Sequence, residues 1–319
     1  MSLSKSISTE HAKAPWLYRI PYPIVVIFII FAVCLFALGI VYHRYRISEQ
    51  IEEYQGILNS ISSLKTQQIV RWKKERLGDA LAVLMTPIMR QAVAAYLRNP
   101  KSRHLSDQIL TTMRIMRSAY EYEDIDLADS SLNILLTTAS QATACPDLLH
   151  AAAAQAEKER APHFTDFHRS TTGRIHFSMI VPFFEGLEST SSAFFIVAID
   201  PYAVLYPLIQ SVPIDSDSLE TLLVRREGDD VVFLNELRHQ KNTALQLRFP
   251  LAKTALPAAM TVLGKEGFVR GFDYRGIKVM ALVLAIPDTP WFMVAKSTNP
   301  RFSVLSVRIC SKQWQSSFC

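Results

Sequence analysis

Cysteine is scarce in this 319-residue chain, and the four present are badly placed for a framework of bridges. Cys34 lies in an apolar run, Cys310 and Cys319 lie in the tail, and Cys145 is alone in the main region. No internal disulfide scaffold can form there. No CxxC pair or His/Cys cluster suggests zinc, and no other metal or cofactor is implied. Enzyme signatures are also missing: no G-x-S-x-G elbow, P-loop, dinucleotide fingerprint or H-E-x-x-H. His104, His150, His163 and His239 are scattered. The net charge of +5 is modest, and no basic stripe with interleaved aromatics appears, which argues against nucleic acid as a partner. These absences argue against a catalytic module, rank an enzyme last, and favour binding or structural roles.

Against them stands one unbroken apolar run, Ile24 to Val41, in which every residue is apolar or glycine. Eighteen helical residues reach about 27 Å, close to the ~30 Å hydrocarbon core of a bilayer. Tyr22 and Tyr42 flank it, where amphipathic rings favour the interface. A cleaved signal has a shorter core and a small-residue cleavage site, whereas His43-Arg44-Tyr45-Arg46 follows here, so a retained anchor is expected. Lys5, Lys13 and Arg19 precede the span, opposed by Glu10, and Arg44 and Arg46 follow it. That slim bias puts residues 1–21 in the cytoplasm and the rest outside. Roughly 270 residues follow, enough for one large or two small domains.

A long helix should leave the span over 43–79. Ile47, Ile51, Tyr54, Leu58, Ile61 and Lys65 step by four and three, with Gln68 and Trp72 continuing the register. This spacing suits a seam between two copies, and equally a helix packed along its own domain. Pro87 can open a second helix, stopped at Asn99-Pro100, and a third runs from about Leu105 to Tyr120. The period then changes to two. Residues 121–128 and 132–139 read as a hairpin around Asp129-Ser130-Ser131, and a helix follows from about Pro146 to Arg160. Strands are expected at 164–168, 174–183 and 193–199. The last, AFFIVAI, is apolar on both faces and should be central. Asp200-Pro201 ends it before a short helix at 202–210.

The same order recurs: strands at 219–226 and 230–235, a helix near 256–263, and strands at 267–273, 277–286 and 290–296, with Tyr274-Arg275-Gly276 as the tight turn. Each half reads strand, strand, helix, strand, strand, strand. The expected fold class is α+β: one N-terminal transmembrane helix (22–42), a long stalk helix (43–79), and two tandem PAS-like antiparallel-sheet modules at 80–210 and 211–296, with an irregular tail over 297–319.

The chain resembles the double Cache sensor regions of bacterial histidine kinases, diguanylate cyclases and chemoreceptors. The likeness covers most of 43–296. It is carried by ISSLKTQQIVRWKKERLGDA, by SLETLLVRREGDDVVFLNELRHQKNTAL, and by the stretch from Gly267 through Pro290-Trp291-Phe292-Met293-Val294-Ala295-Lys296. The resemblance implies a single-pass inner-membrane protein whose periplasmic domain senses a small molecule, pairs as a homodimer through its stalk helix, and has no catalytic activity of its own. Such regions continue into a second span and an output module. SVLSVRICSKQWQSSFC holds no run near the ~20 apolar residues a span needs. A sensor lacking its cytoplasmic output is therefore expected, with an accessory module acting through a separate receptor, or a remnant of a split sensor gene, as alternatives.

The resemblance puts the ligand in the membrane-distal module, between sheet and helices. Tyr122, Asp124 and Asp126 share one strand face by alternation. Facing a cavity, either acid could hold an ammonium group. The general tendency of acids to stay exposed makes them surface acids in the first instance. Asp166, His168, Arg174 and His176 could bind a carboxylate or metal, but a solvated cross-strand charge cluster is the expectation. Asp200 either faces the cavity or merely stops its strand. Tyr120 and Tyr122 are candidate aromatic walls, or core.

Overall fold

A computed structural model describes residues 22–139, 146–170, 173–186, 190–211 and 218–298. The expected cytoplasmic segment 1–21, Cys145 and the tail from 299 lie outside them. The chain divides into two compact units, Met1–Tyr54 and Gln55–Cys319.

The expected membrane and stalk helices are one element, α1 (Tyr22–Leu84, 63 residues). Pro23 sits in its first turn, where a missing N–H costs nothing, and no further proline occurs before Pro87. In the first unit the apolar run is bare: Phe28 is 70% and Phe36 73% exposed. Its most apolar window is unburied and has the length and composition to cross a membrane. Such a surface is stable only in lipid or against another apolar face.

In the second unit α1 gives way at Thr86-Pro87 to α2 (Pro87–Arg98). The Thr86 hydroxyl accepts from the Met89 N–H at 3.3 Å, and Pro87 occupies the first turn. Helix α3 (Arg103–Ala119) follows. The first sheet comprises β1 (Asp124–Asp129), β2 (Ile134–Thr137), β3 (His163–Phe164), β4 (His168–Arg169), β5 (Ile175–Phe183) and β6 (Ala193–Ile199). Helix α4 (Pro146–Glu159) interrupts them, and α5 (Leu205–Gln210) ends the module. The order is β2-β1-β6-β5-β3, with β4 also on β5, all antiparallel. AFFIVAI is central, as expected.

Its two-sided hydrophobicity has a direct cause. Phe195, Val197 and Ile199 join Ile125, Leu127, Phe177 and Met179 in a core against α1, α2 and α3. Phe194 and Ile196 turn the other way, with Ala128 and Ile180, against Leu149, Ala152, Ala153 and Ala156 of α4. The single strand expected at 164–168 is instead two short ones. The Phe167 N–H bonds the Asp166 carboxylate at 2.7 Å, which takes it out of the ladder.

The second sheet holds β7 (Leu219–Glu227), β8 (Asp230–Phe233), β9 (Arg248–Pro250), β10 (Gly267–Phe272), β11 (Lys278–Ala285) and β12 (Trp291–Ser297), in the order β10-β11-β12-β7-β8-β9. Helix α6 (Pro257–Val262) packs on one face against Leu222, Val224, Ala281, Val283 and Val294. Strand β9 was not expected; it ends in a proline, which an edge strand tolerates. Leu58 and Ile61 of α1 bury against Leu219, Leu282 and Ala295. Lys65 is buried too, donating to the Leu208 carbonyl at 2.6 Å and to Ser211 Oγ at 2.7 Å. From Leu58 to Lys65 the stepped register is thus occupied by the chain's own domain, the second of the two readings of that spacing.

The modules share core. Phe167 of the first lies with its ring centroid 4.7 Å from that of Trp291 of the second. Asp166 accepts from the Trp291 indole at 2.9 Å and pairs with Arg225 at 3.0 Å.

One edge is tightly built. A Cβ on Gly271 would sit 2.1 Å from the Ala255 carbonyl oxygen, because the segment before α6 crosses β10 and Ala255 accepts from the Phe272 N–H at 2.9 Å. Gly271→Ala must move backbone and should cost about 1–3 kcal/mol, the range for forced overpacking. A shift in the urea midpoint at unchanged slope measures it.

Candidate functional site

The first sheet's α4 face carries the strongest polar anomaly. Alternation puts Asp124 and Asp126 beside Ala128 on that face, opposite Ala198 and Ile196 of β6. Beyond these, Ser178 and Ile180 of β5 continue the rows. Asp124 is 1% and Asp126 6% exposed, so the expectation of surface acids is overturned; on this face α4 packs its alanines against Ala128, Ile180, Phe194 and Ile196.

Asp124 is partly satisfied. Its Oδ1 accepts from the Thr138 hydroxyl at 2.6 Å and the Ile125 N–H at 2.8 Å. Its Oδ2 and Asp126 Oδ1 are buried and have no partner. Burial pushes the Asp126 carboxyl up to about 7; Asp124 adds to this and the Thr137 hydroxyl opposes it. Two neighbouring buried acids with unpartnered oxygens make an environment that favours a cation or a retained proton.

The expected Asp166, His168, Arg174 and His176 group is divided. Asp166 belongs to the contact with Trp291 and Arg225. His176 is 1% exposed, and its Nδ1 lies 2.6 Å from Glu123 Oε2. Arg174 reaches the other Glu123 oxygen at 3.0 Å from a largely exposed position. The His176 bond holds the Glu123 carboxyl below its usual range against the opposing effect of burial, with Arg174 helping. The His168 ring lies tilted at 51° with its centroid 5.9 Å from that of His176, and burial lowers its pKa. Both Nε2 atoms are buried without partners. The histidines are therefore not a solvated cluster. Among the described residues, no group of three or more His, Cys, Asp and Glu is placed to hold a metal ion.

Glu123 escaped the sequence reading because strict alternation assigns it to the opposite face. Strand β1 begins only at Asp124, so Tyr122 and Glu123 lie outside the strand and alternation does not govern them. Thr138 lies past the end of β2 and gave no signal of its own. Asp200 accepts from the Tyr202 N–H at 2.8 Å, a turn-forming role that agrees with its reading as a strand stop.

Tyr120 and Tyr122 leave this group altogether. Their ring centroids are 5.7 Å apart, and Tyr122 joins the core on the α1 side. Arg76 of α1 lies 5.0 Å over the Tyr120 ring. Burial pushes the Tyr122 hydroxyl up to about 12, with nearby Arg76 opposing.

No family model matches the sequence, and no curated protein is similar to it. Solved structures are. The ligand-binding domain of the Pseudomonas fluorescens chemoreceptor CtaA in complex with L-serine is 12% identical, with 77% of this chain and 98% of that one covered and a TM-score of 0.52. The domain of the Pseudomonas aeruginosa amino acid chemoreceptor PctB in complex with L-Arg is 11% identical, with coverages of 79% and 97% and a TM-score of 0.51. That of Campylobacter jejuni chemoreceptor Tlp3 in complex with L-norvaline is 8% identical, with coverages of 77% and 91% and a TM-score of 0.56. Identities this low speak to architecture alone. The two tandem modules on a long N-terminal helix have the fold of the ligand-binding domains of bacterial chemoreceptors, the double Cache arrangement.

Proposed function

We propose that this chain is the sensing part of a membrane-anchored bacterial receptor and that its first module binds a small molecule carrying a protonated amine. One observation carries the ligand class: the unpartnered oxygens of Asp124 and Asp126, buried on the face beneath α4. An ammonium group supplies what they lack, three donors and a positive charge. The ligands named for CtaA, PctB and Tlp3 are amino acids, each bearing such a group. The apolar run of α1 would serve as the inner-membrane anchor, with the sheets on the periplasmic side and signalling of the sensor-kinase type. Binding would act by population shift, favouring whichever packing of α1 on the sheets holds the ligand better.

The test uses the full chain in lipid nanodiscs and calorimetric titration with the common amino acids and simple primary amines. At least one should bind. Charge-assisted hydrogen bonds are worth about 1.5–3 kcal/mol, so replacing both acids (Asp124→Asn with Asp126→Asn) should weaken binding by roughly ten- to a hundredfold or more. Equal affinity in the double variant would sink the assignment, as would a panel in which nothing binds.

A further inference from the structure

A cleft lies on the opposite side of the first sheet from Asp124 and Asp126, and neither acid lines it. We propose that it is a separate small-molecule site, and that it takes an uncharged, compact aromatic compound carrying a carbonyl oxygen. The cleft holds about 440 Å³ between Trp72 and Arg76 of α1, Tyr120 and Tyr122 after α3, Ile199 at the end of β6, and Val204 beyond it. That is within the range of small-ligand pockets and far more than one water requires.

Two donors define its chemistry. The Tyr122 hydroxyl and Arg76 Nε are buried, and apart from their proximity to each other neither has a hydrogen-bond partner. Tyr122 is 4% exposed, so bulk water does not serve it. Arg76 is committed elsewhere through a terminal nitrogen, which pairs with Asp79 at 3.0 Å. Two unmet donors on one cleft call for an acceptor, and a carbonyl oxygen with its two lone pairs can take both.

Charge decides between a carbonyl and a carboxylate. Asp79 balances Arg76, and exposed Glu121 at the rim adds a negative charge. The cleft thus offers no surplus positive field to an anion. Its remaining walls combine the rings of Trp72 and Tyr120 and the aliphatic side chains of Ile199 and Val204 with the polar Ser118, which gives a flat ring an apolar face beside polar groups. Because one wall is α1 and the other is the sheet, an occupant would bear on the same packing that the first site biases, while using none of its residues.

Benzamide is the probe, with benzoate and benzylamine as its charged counterparts, on the full chain in nanodiscs by saturation-transfer NMR and titration. Benzamide should bind, benzoate at least fivefold more weakly, and benzylamine, which lacks the acceptor, not measurably. Tyr122→Phe keeps the ring and removes the donor; it should weaken benzamide about tenfold and leave amino-acid binding unchanged. Ala119→Trp, which fills the cleft, should abolish benzamide binding. Absence of benzamide binding to the folded protein overturns the proposal. So does preference for benzoate, or affinity that survives both variants. Amino-acid binding can fail without touching this result, since the two sites share no residue.

Discussion

Lys296→Met is expected to be among the most destabilising single changes in this protein. Lys296 is 3% exposed and lies between two buried acids, 2.8 Å from Glu220 Oε2 and 2.7 Å from Asp273 Oδ2. The ammonium also sits 4.5 Å over the Tyr274 ring. The Tyr274 hydroxyl donates to Glu220 at 3.1 Å, and Arg275 forks onto Asp273 at 2.8 and 2.9 Å. Methionine preserves the bulk and removes the charge, which leaves two carboxylates facing each other in the core. Breaking a buried pair in this way costs about 3–5 kcal/mol, against a total stability of about 5–15 kcal/mol.

The pH dependence gives the mechanism away. Burial by itself would raise the Asp273 carboxyl, but the hydrogen bonds from Lys296 and Arg275 outweigh it and hold the group below its ordinary 3.8. A depressed acid contributes stability above its unfolded pKa and loses it as pH falls through the folded value. The wild type should therefore keep this contribution down to about pH 4, by the same linkage. In Lys296→Met the two acids are stabilised by protons instead, so its deficit should be large at pH 8 and shrink as the pH falls. Urea titrations at several pH values measure this. A deficit independent of pH would point to lost packing rather than lost charge. Adding Glu220→Gln and Asp273→Asn to the variant should recover most of the loss.

Asp126→Asn is expected to do the opposite. The folded protein holds the Asp126 proton up to about pH 7, the unfolded chain only to about 3.8. Between those values the folded state binds more protons, so stability falls as pH rises from about 4 to 7 and is level beyond. The asymmetry corresponds to at most about 4 kcal/mol at 1.36 kcal/mol per unit. Asparagine removes the titration, so the variant should gain on the wild type with rising pH and keep its full advantage at pH 8. If an ammonium ligand meets the carboxylate, binding between pH 6 and 7 should also release a proton in the wild type but not in Asp126→Asn. Calorimetry in buffers of different ionisation enthalpy detects that release. Flat pH behaviour in both experiments would show that Asp126 is ionised throughout.

The fold was legible because its signals were local. Pro87, Asn99-Pro100, the Asp129 turn and the two-faced AFFIVAI each report a boundary or a layer through backbone chemistry that needs no partner. The break of 164–168 was not legible, because it depends on Asp166 bonding its neighbour's N–H and then reaching across to Trp291 and Arg225. The candidate site was half legible. Alternation correctly put Asp124 and Asp126 on one face, yet their burial depends on what packs on that face, where α4 lies against Ala128, Ile180 and Ile196, and no period in β1 can announce it. Tyr122 was misplaced onto that face, and Glu123 was missed, for the same reason: both lie before β1, which begins only at Asp124, so strand alternation does not extend to them. The seven-residue stepping of α1 could not tell a neighbour in the same chain from a second copy, since both reward the same apolar stripe.

The seam between the lobes has a consequence for how such a protein can change over generations. Phe167 and Trp291 fill each other's space, and Asp166 accepts from an indole and pairs with a guanidinium that belong to the other sheet. Neither lobe can be deleted or exchanged for a foreign one without exposing a greasy socket and stranding an acid. New specificities would therefore arise by editing side chains inside a fixed pair, with the two halves inherited as one piece.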